Sequence, residues 1–165
     1  MFIIRPMDKL LELLQEDALA EPETLARMLK RPVETVRRQM RKLREEKKII
    51  AYKAIIDQAR VNPDKVRAAI DVRITPERGG GFNRIAQRIS QFREVTSCHL
   101  MSGGYDLLVF VEGRSLKEVA LFVSEKLATL GGVLSTTTHF MLKTYKDQGV
   151  LMDPDTEEER LKVSP

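Results

Sequence analysis

The chain has 165 residues, 42% of them apolar and 32% charged, enough for an ordinary core under a well-solvated surface, in one domain or two small ones. Twenty-eight Lys and Arg against 24 Asp and Glu leave a net charge of only +4, so the distribution of charge says more than its total. A lone cysteine, Cys98, excludes a disulfide framework, and the absence of a Cys/His cluster excludes a zinc ribbon.

No apolar run approaches the roughly 20 residues of a membrane span. Met1-Phe2-Ile3-Ile4-Arg5-Pro6 is too short for a signal-peptide core, so a cytoplasmic globular protein with a frayed extension over residues 1–6 is expected. Met7, Leu10, Leu11 and Leu14 recur at helical spacing and predict an amphipathic helix over residues 7 to about 17, broken by Asp17 to Glu21. Pro22 suits the first turn of a second helix with the stripe Leu25, Met28, Leu29, ending near Lys30. Pro32 marks a third start, and Val36, Met40 and Leu43 define a buried face running to about Lys47.

Arg37, Arg41 and Arg44 repeat that spacing on another face, and residues 30–48 hold nine basic side chains against three acidic ones. Two short helices joined by a tight turn, the second with arginines away from its core stripe, match a helix-turn-helix whose recognition helix enters the DNA major groove. Residues 49–56 read as a strand in the position of a wing. A solvated basic face is the plainer alternative. Against it, Arg37 and Arg38 are followed by Arg41 and Lys42, like charges at i,i+4 that cost a few tenths of a kcal/mol per pair. Phosphate offsets that repulsion, and the arginine fork fits guanine O6 and N7.

After a connection around Asn62-Pro63-Asp64, Val66, Ala68, Ile70, Val72 and Ile74 alternate with polar or small residues as a strand. Thr75 to Gly81 form a loop, and Phe82, Ile85, Ala86 and Ile89 a helix stripe. Val95 to Met101 give a second strand, Ser102-Gly103-Gly104-Tyr105 a turn, and Leu107 to Val111 a third strand. Leu116, Val119, Ala120, Val123 and Leu127 are spaced as another helix, ended by Gly131-Gly132, and Val133 to Tyr145 form a fourth strand. The order βαββαβ is the ferredoxin-like split unit, with two helices on one face of a four-stranded antiparallel sheet. Leu107, Val109 and Val111 point to one face of the third strand, Leu108 and Phe110 to the other. The second apolar face predicts a homodimer packed sheet to sheet.

A helix-turn-helix followed by βαββαβ resembles the Lrp/AsnC, or feast/famine, family of bacterial and archaeal regulators over roughly residues 7 to 146. The carriers are Met7-Asp8-Lys9-Leu10-Leu11-Glu12-Leu13-Leu14, Glu34-Thr35-Val36-Arg37-Arg38, Ile49-Ile50-Ala51-Tyr52, Ser102-Gly103-Gly104-Tyr105-Asp106-Leu107, Thr138-His139-Phe140 and Leu142-Lys143. The resemblance implies an α+β protein: an N-terminal extension (1–6), a winged helix-turn-helix DNA-binding domain (7–56), a linker (57–65), a ferredoxin-like RAM-type domain for effector binding and oligomerisation (66–146), and an acidic tail (147–165). It implies a sequence-specific transcriptional regulator that meets double-stranded DNA through Glu34, Thr35, Arg37, Arg38, Arg41, Lys42, Lys47 and Lys48. It also implies a homodimer that assembles further to tetramers or octamers, and an amino-acid effector held between dimers. Carried over, the effector residues are Met101, Ser102, Gly103, Gly104, Tyr105 and Asp106, with Thr136, Thr137 and Thr138. Read by themselves, the glycines equally make a hairpin turn that Asp106 caps. The family often has serine or threonine at Pro32, arginine at Gln39 and glycine at Lys47; charge at Lys47 and Lys48 suggests added phosphate contact.

Catalysis is not expected. Residues 75–81 lack the lysine and hydroxyl of a phosphate loop. His99 and His139 fall on opposite sheet edges, too far apart to share a metal, and Cys98 and His99 alternate to opposite faces and make no nucleophile–base pair. No metal or cofactor is expected beyond an amino-acid effector. An oligomer that compacts DNA without reading sequence is the alternative, and RNA binding ranks last because the central strands lack stacking aromatics.

Overall fold

The structure, a computed structural model, describes residues 8–76 and 81–152. The extension over residues 1–6, Met7 of the first stripe, most of the loop after Thr75 and the tail beyond Met152 lie outside the described residues. The chain divides into two units, one ending at Ala54 and the other starting at Ile55.

The first unit is helical: α1 (Lys9–Glu16), α2 (Pro22–Leu29) and α3 (Val33–Glu45). Asp8 caps α1 by accepting the Leu10 N–H at 3.1 Å, and Pro22 stands in the first turn of α2, where its missing donor is no loss. Leu10, Leu13, Leu14, Leu25, Ala26, Val36 and Leu43 form the core. Two stripes differ from expectation. On α1, Leu13 rather than Leu11 is buried, because i, i+3, i+4 from Leu10 makes the tighter ridge; on α2, Ala26 takes the place of Met28, which is exposed. α2 ends at Lys30 (φ 53°), and α3 is followed by Lys47 (φ 54°), both left-handed conformations.

The wing strand expected over residues 49–56 is absent. That stretch carries no strand, and Ile50, Tyr52, Ile55 and Ile56 are exposed. Its β-branched composition suits a strand, but a strand needs a partner ladder, and no strand stands among the described residues of this unit.

The second unit opens with the single turn α4 (Gln58–Val61), within the stretch expected as a linker. It continues with β1 (Val66–Ile74), α5 (Asn83–Ser90), β2 (Val95–Leu100), β3 (Leu107–Gly113), α6 (Leu116–Leu121) running into a π-helical turn (Phe122–Leu127), and β4 (Val133–Phe140). The sheet order is β2-β3-β1-β4, all antiparallel, so β2 and β4 are its edges. Ala68, Ile70, Val72 and Ile74 of β1 and Leu107, Val109 and Val111 of β3 pack with Ile85, Ile89, Val119, Phe122 and Leu127. The π turn lets Phe122 and Leu127, five residues apart, both reach that core, closing with the Ala128 N–H on the Val123 carbonyl at 2.8 Å. Gly132 (φ 95°) holds a backbone conformation at the entry to β4 that L side chains rarely adopt, and a Cβ there would stand 2.5 Å from Cδ1 of Ile85, which would have to shift.

β4 stops at Phe140 rather than reaching Tyr145. Its partner sets the limit: Phe140 pairs with Ala68, the Met141 N–H reaches the Arg67 carbonyl, and β1 begins at Val66. The chain then forms a small hairpin, β5 (Lys146–Asp147) and β6 (Val150–Leu151), across Gln148 and Gly149, both at positive φ.

Candidate nucleic-acid interface

Val36 and Leu43 seat α3 in its core, so a helical periodicity of 3.6 places Arg38 and Arg41 on the opposite side, with Arg37 and Arg44 on one flank and Lys42 on the other. The cations differ in their engagements. The Arg37 guanidinium pairs with Glu23 of α2 and, at 3.4 Å, with Glu34. A backbone N–H and then that guanidinium hold the Glu23 carboxyl below its usual range. Lys48 and Lys42 lie 2.6 and 3.6 Å from Glu46, and the Lys48 ammonium lowers the Glu46 carboxyl. Among the described residues, Arg38, Arg41, Arg44 and Lys47 have no ion-pair partner. Thr35 is half-buried in the first turn. Gln39, where the family often has arginine, donates to the Asp8 carboxylate at 2.5 Å and accepts from Arg31 at 3.1 Å, so it joins the start of α1 to α3.

In the second unit the residues carried over as effector ligands fall into two groups. Met101 to Asp106 form the β2–β3 turn, closed by the Met101 N–H on the Asp106 carbonyl at 2.8 Å. The turn is pinned to β1: Asp106 accepts the Ile74 N–H at 2.8 Å, its own N–H reaches the Val72 carbonyl at 3.1 Å, and Arg73 donates to the Gly104 carbonyl at 2.9 Å. Ser102, Gly103 and Gly104 are exposed and Tyr105 is half-buried. Thr136, Thr137 and Thr138 pair with Val72, Asp71 and Ile70 from the other side of β1, about two strand spacings, or roughly 10 Å, from the turn. Thr136 and Thr138 point to the helix layer and Thr137 to the open sheet face.

That open face carries Ala69, Asp71 and Arg73 of β1, Leu108 and Phe110 of β3, His99 of β2 and Thr137 and His139 of β4. His99 meets Phe110 edge to face at 6.3 Å, and His139 lies 3.0 Å from the Asp71 carboxylate. Cys98 faces the helices, where burial pushes its thiol up, away from nucleophilic use. Among the described residues no cluster of metal-ligating side chains occurs, and no helix is long and apolar enough to cross a membrane. A cleft of about 460 Å³ near α4 carries no motif or periodicity in the sequence.

Residues 67–151 match the model of the Lrp/AsnC ligand-binding domain. The chain belongs to the Lrp/AsnC family. An uncharacterised HTH-type transcriptional regulator of Bacillus subtilis, YugG, is 48% identical over 158 residues, 95% of each chain. Among solved structures, an AsnC-family transcriptional regulator from Agrobacterium tumefaciens superposes with a TM-score of 0.69 at 25% identity, covering 88% of this chain and 96% of that one. A Neisseria meningitidis transcriptional regulator, solved as a complex with L-Met, has the same fold at 23% identity and a TM-score of 0.69, covering 86% and 93%. The Lrp/AsnC assignment makes the chain a DNA-binding transcriptional regulator, and its relatives are regulators, not enzymes.

Proposed function

We propose that the chain is a sequence-specific regulator that reads DNA through α3 as a homodimer and responds to an amino acid. The observation that carries the reading is the pair Arg38 and Arg41, opposite the buried Val36 and without acidic partners among the described residues. Arg37, Lys42 and Lys48, each engaged by a glutamate, serve the phosphates once DNA displaces those weak surface pairs. Dimerisation uses the open sheet face around Leu108 and Phe110. The effector reading draws on the L-Met complex of the Neisseria regulator and on the exposed turn from Met101 to Asp106, with the threonines of β4 contributing across a dimer–dimer contact. Selection of bound fragments from a random genomic pool, followed by competition with bulk DNA, tests it. A preference of about a thousandfold or more is expected for the selected site. Equal retention by bulk DNA would instead favour an architectural oligomer.

A further inference from the structure

We infer that the His139–Asp71 pair makes the homodimer pH-sensitive, the two open sheet faces closing most tightly when His139 carries a proton. The inference rests on the sheet-to-sheet dimer proposed above. Asp71 stands among the apolar residues that such a dimer covers, opposite Leu108 of β3 and two positions from Ala69 on β1. Its side chain is only 25% exposed in a single chain. A two-fold axis through the face would bring a second copy of the same carboxylate into the same closed space, where like charges taken out of water disfavour each other. A carboxylate buried there without a cation beside it opposes closure.

His139 of β4 is the group in contact with it, Nε2 lying 3.0 Å from Oδ2 of Asp71. The other charged groups of this face are directed elsewhere. Arg73 of β1 donates to the Gly104 carbonyl at 2.9 Å, towards the β2–β3 turn. Glu112 of β3 engages Lys65 and, at 3.4 Å, Arg67 of β1, which Asp147 also holds at 3.8 Å. His99 of β2 meets Phe110 edge to face at 6.3 Å, with β3 standing between its strand and β1. A neutral imidazole can still donate through Nε2–H, but the pair then keeps one net negative charge in each copy. The imidazolium cancels that charge, so closing the face over Asp71 takes up a proton at His139. The His139 side chain is 58% exposed in a single chain, so the proton reaches it before the face closes. An association that takes up protons weakens as pH rises, and an imidazole ordinarily titrates near about pH 6.5.

Dilution series of the full chain, followed by sedimentation at about pH 6 and about pH 8, on either side of that range, give the dimer dissociation constant. For wild type it should rise at least about tenfold between the two. His139→Gln keeps a donor for Asp71 but no titratable charge, and should show one weak constant at both values. Asp71→Asn removes the charge that the proton answers, and should bind at the higher pH at least about tenfold more tightly than wild type does there, an outcome that a merely structural contact would not give. His99→Gln should leave the rise in place. A wild-type constant that does not move with pH, a rise that survives in His139→Gln or is lost in His99→Gln, or an Asp71→Asn protein no tighter than wild type at the higher pH overturns the inference while the dimer stands. A wild-type chain that stays monomeric at every concentration overturns the dimer reading and this inference with it.

Discussion

The two left-handed lysines set structure against function at single residues. A non-glycine residue in that conformation costs roughly 1 kcal/mol, and glycine is the usual solution at a helix end. Lys47, just past α3, keeps a cation there instead. Lys47→Gly should raise the unfolding free energy by up to about 1 kcal/mol in denaturant titrations, less the entropy that glycine adds to the unfolded chain. The same variant should reduce the slope of log affinity against log salt by about 0.9, the signature of one lost phosphate contact. A stabilised variant with an unchanged slope would remove Lys47 from the interface. On α3 itself, Arg38→Ala and Arg41→Ala should each weaken binding to a selected site by about 1 to 3 kcal/mol if they contact base edges. Arg37→Ala should weaken it less, because wild-type Arg37 must first release Glu23 and Glu34. Gel-shift titrations at fixed salt rank the three.

At the level of elements, β1, β3 and the helix stripes were legible because their apolar spacing reports burial directly. Ile70, Val72 and Ile74 are buried at period two, as are Leu107, Val109 and Val111. What the sequence misplaced depends on partners distant in the chain. Residues 49–56 have the composition of a strand and no ladder to join, while β4 ends where β1 has no more residues to offer. The π turn shifts the helix stripe from Val123 to Phe122, a change that no 3.6-residue period encodes. The candidate site was legible to the same extent: the cations on and just after α3 could be picked out, but not that Glu23 and Glu46 engage Arg37, Lys42 and Lys48. The turn shows the same limit, because Asp106 hydrogen-bonds the Ile74 N–H, 32 residues away. Asp106→Ala should cost about 1 to 3 kcal/mol of stability by orphaning that N–H, with Asp106→Asn retaining most of it, in thermal melts. A second tie joins Glu94, at the approach to β2, to Lys126 of the π turn at 2.5 Å. The hydrogen bond from the Lys126 ammonium holds the Glu94 carboxyl below the usual carboxylate range. A carboxylate with a depressed folded-state value contributes stability that is full above its unfolded value and is lost as pH falls through the folded one. Glu94→Gln should therefore lower Tm at neutral pH by an amount worth less than about 1 kcal/mol, and the difference from wild type should vanish in acid.

For the whole molecule, the proposed dimer rests on the open sheet face. Ala69, Leu108 and Phe110 are half-buried on it and belong to neither side of the helix-packed core, so their apolar surface is unspent within one chain. In the proposed dimer a two-fold axis through that face would set like patch on like patch, with Asp71, Arg73, His99 and His139 as its polar neighbours. Phe110→Asp places an unpaired carboxylate, next to the existing charge of Asp71, where the copy would bury it. The variant should fold with an unchanged far-UV spectrum, because Phe110 lies outside the core, and should sediment as a monomer at micromolar concentration, whereas wild type is expected to sediment as a dimer. DNA binding separates assembly from recognition. On a fragment with one half-site the variant and wild type should bind alike, whereas on two half-sites one helical turn apart, about 10 base pairs, only wild type should gain from engaging both. A dimeric Phe110→Asp protein would move the interface off this face. A monomeric one that keeps the gain on paired half-sites would show that DNA, rather than the sheet, brings the two copies together.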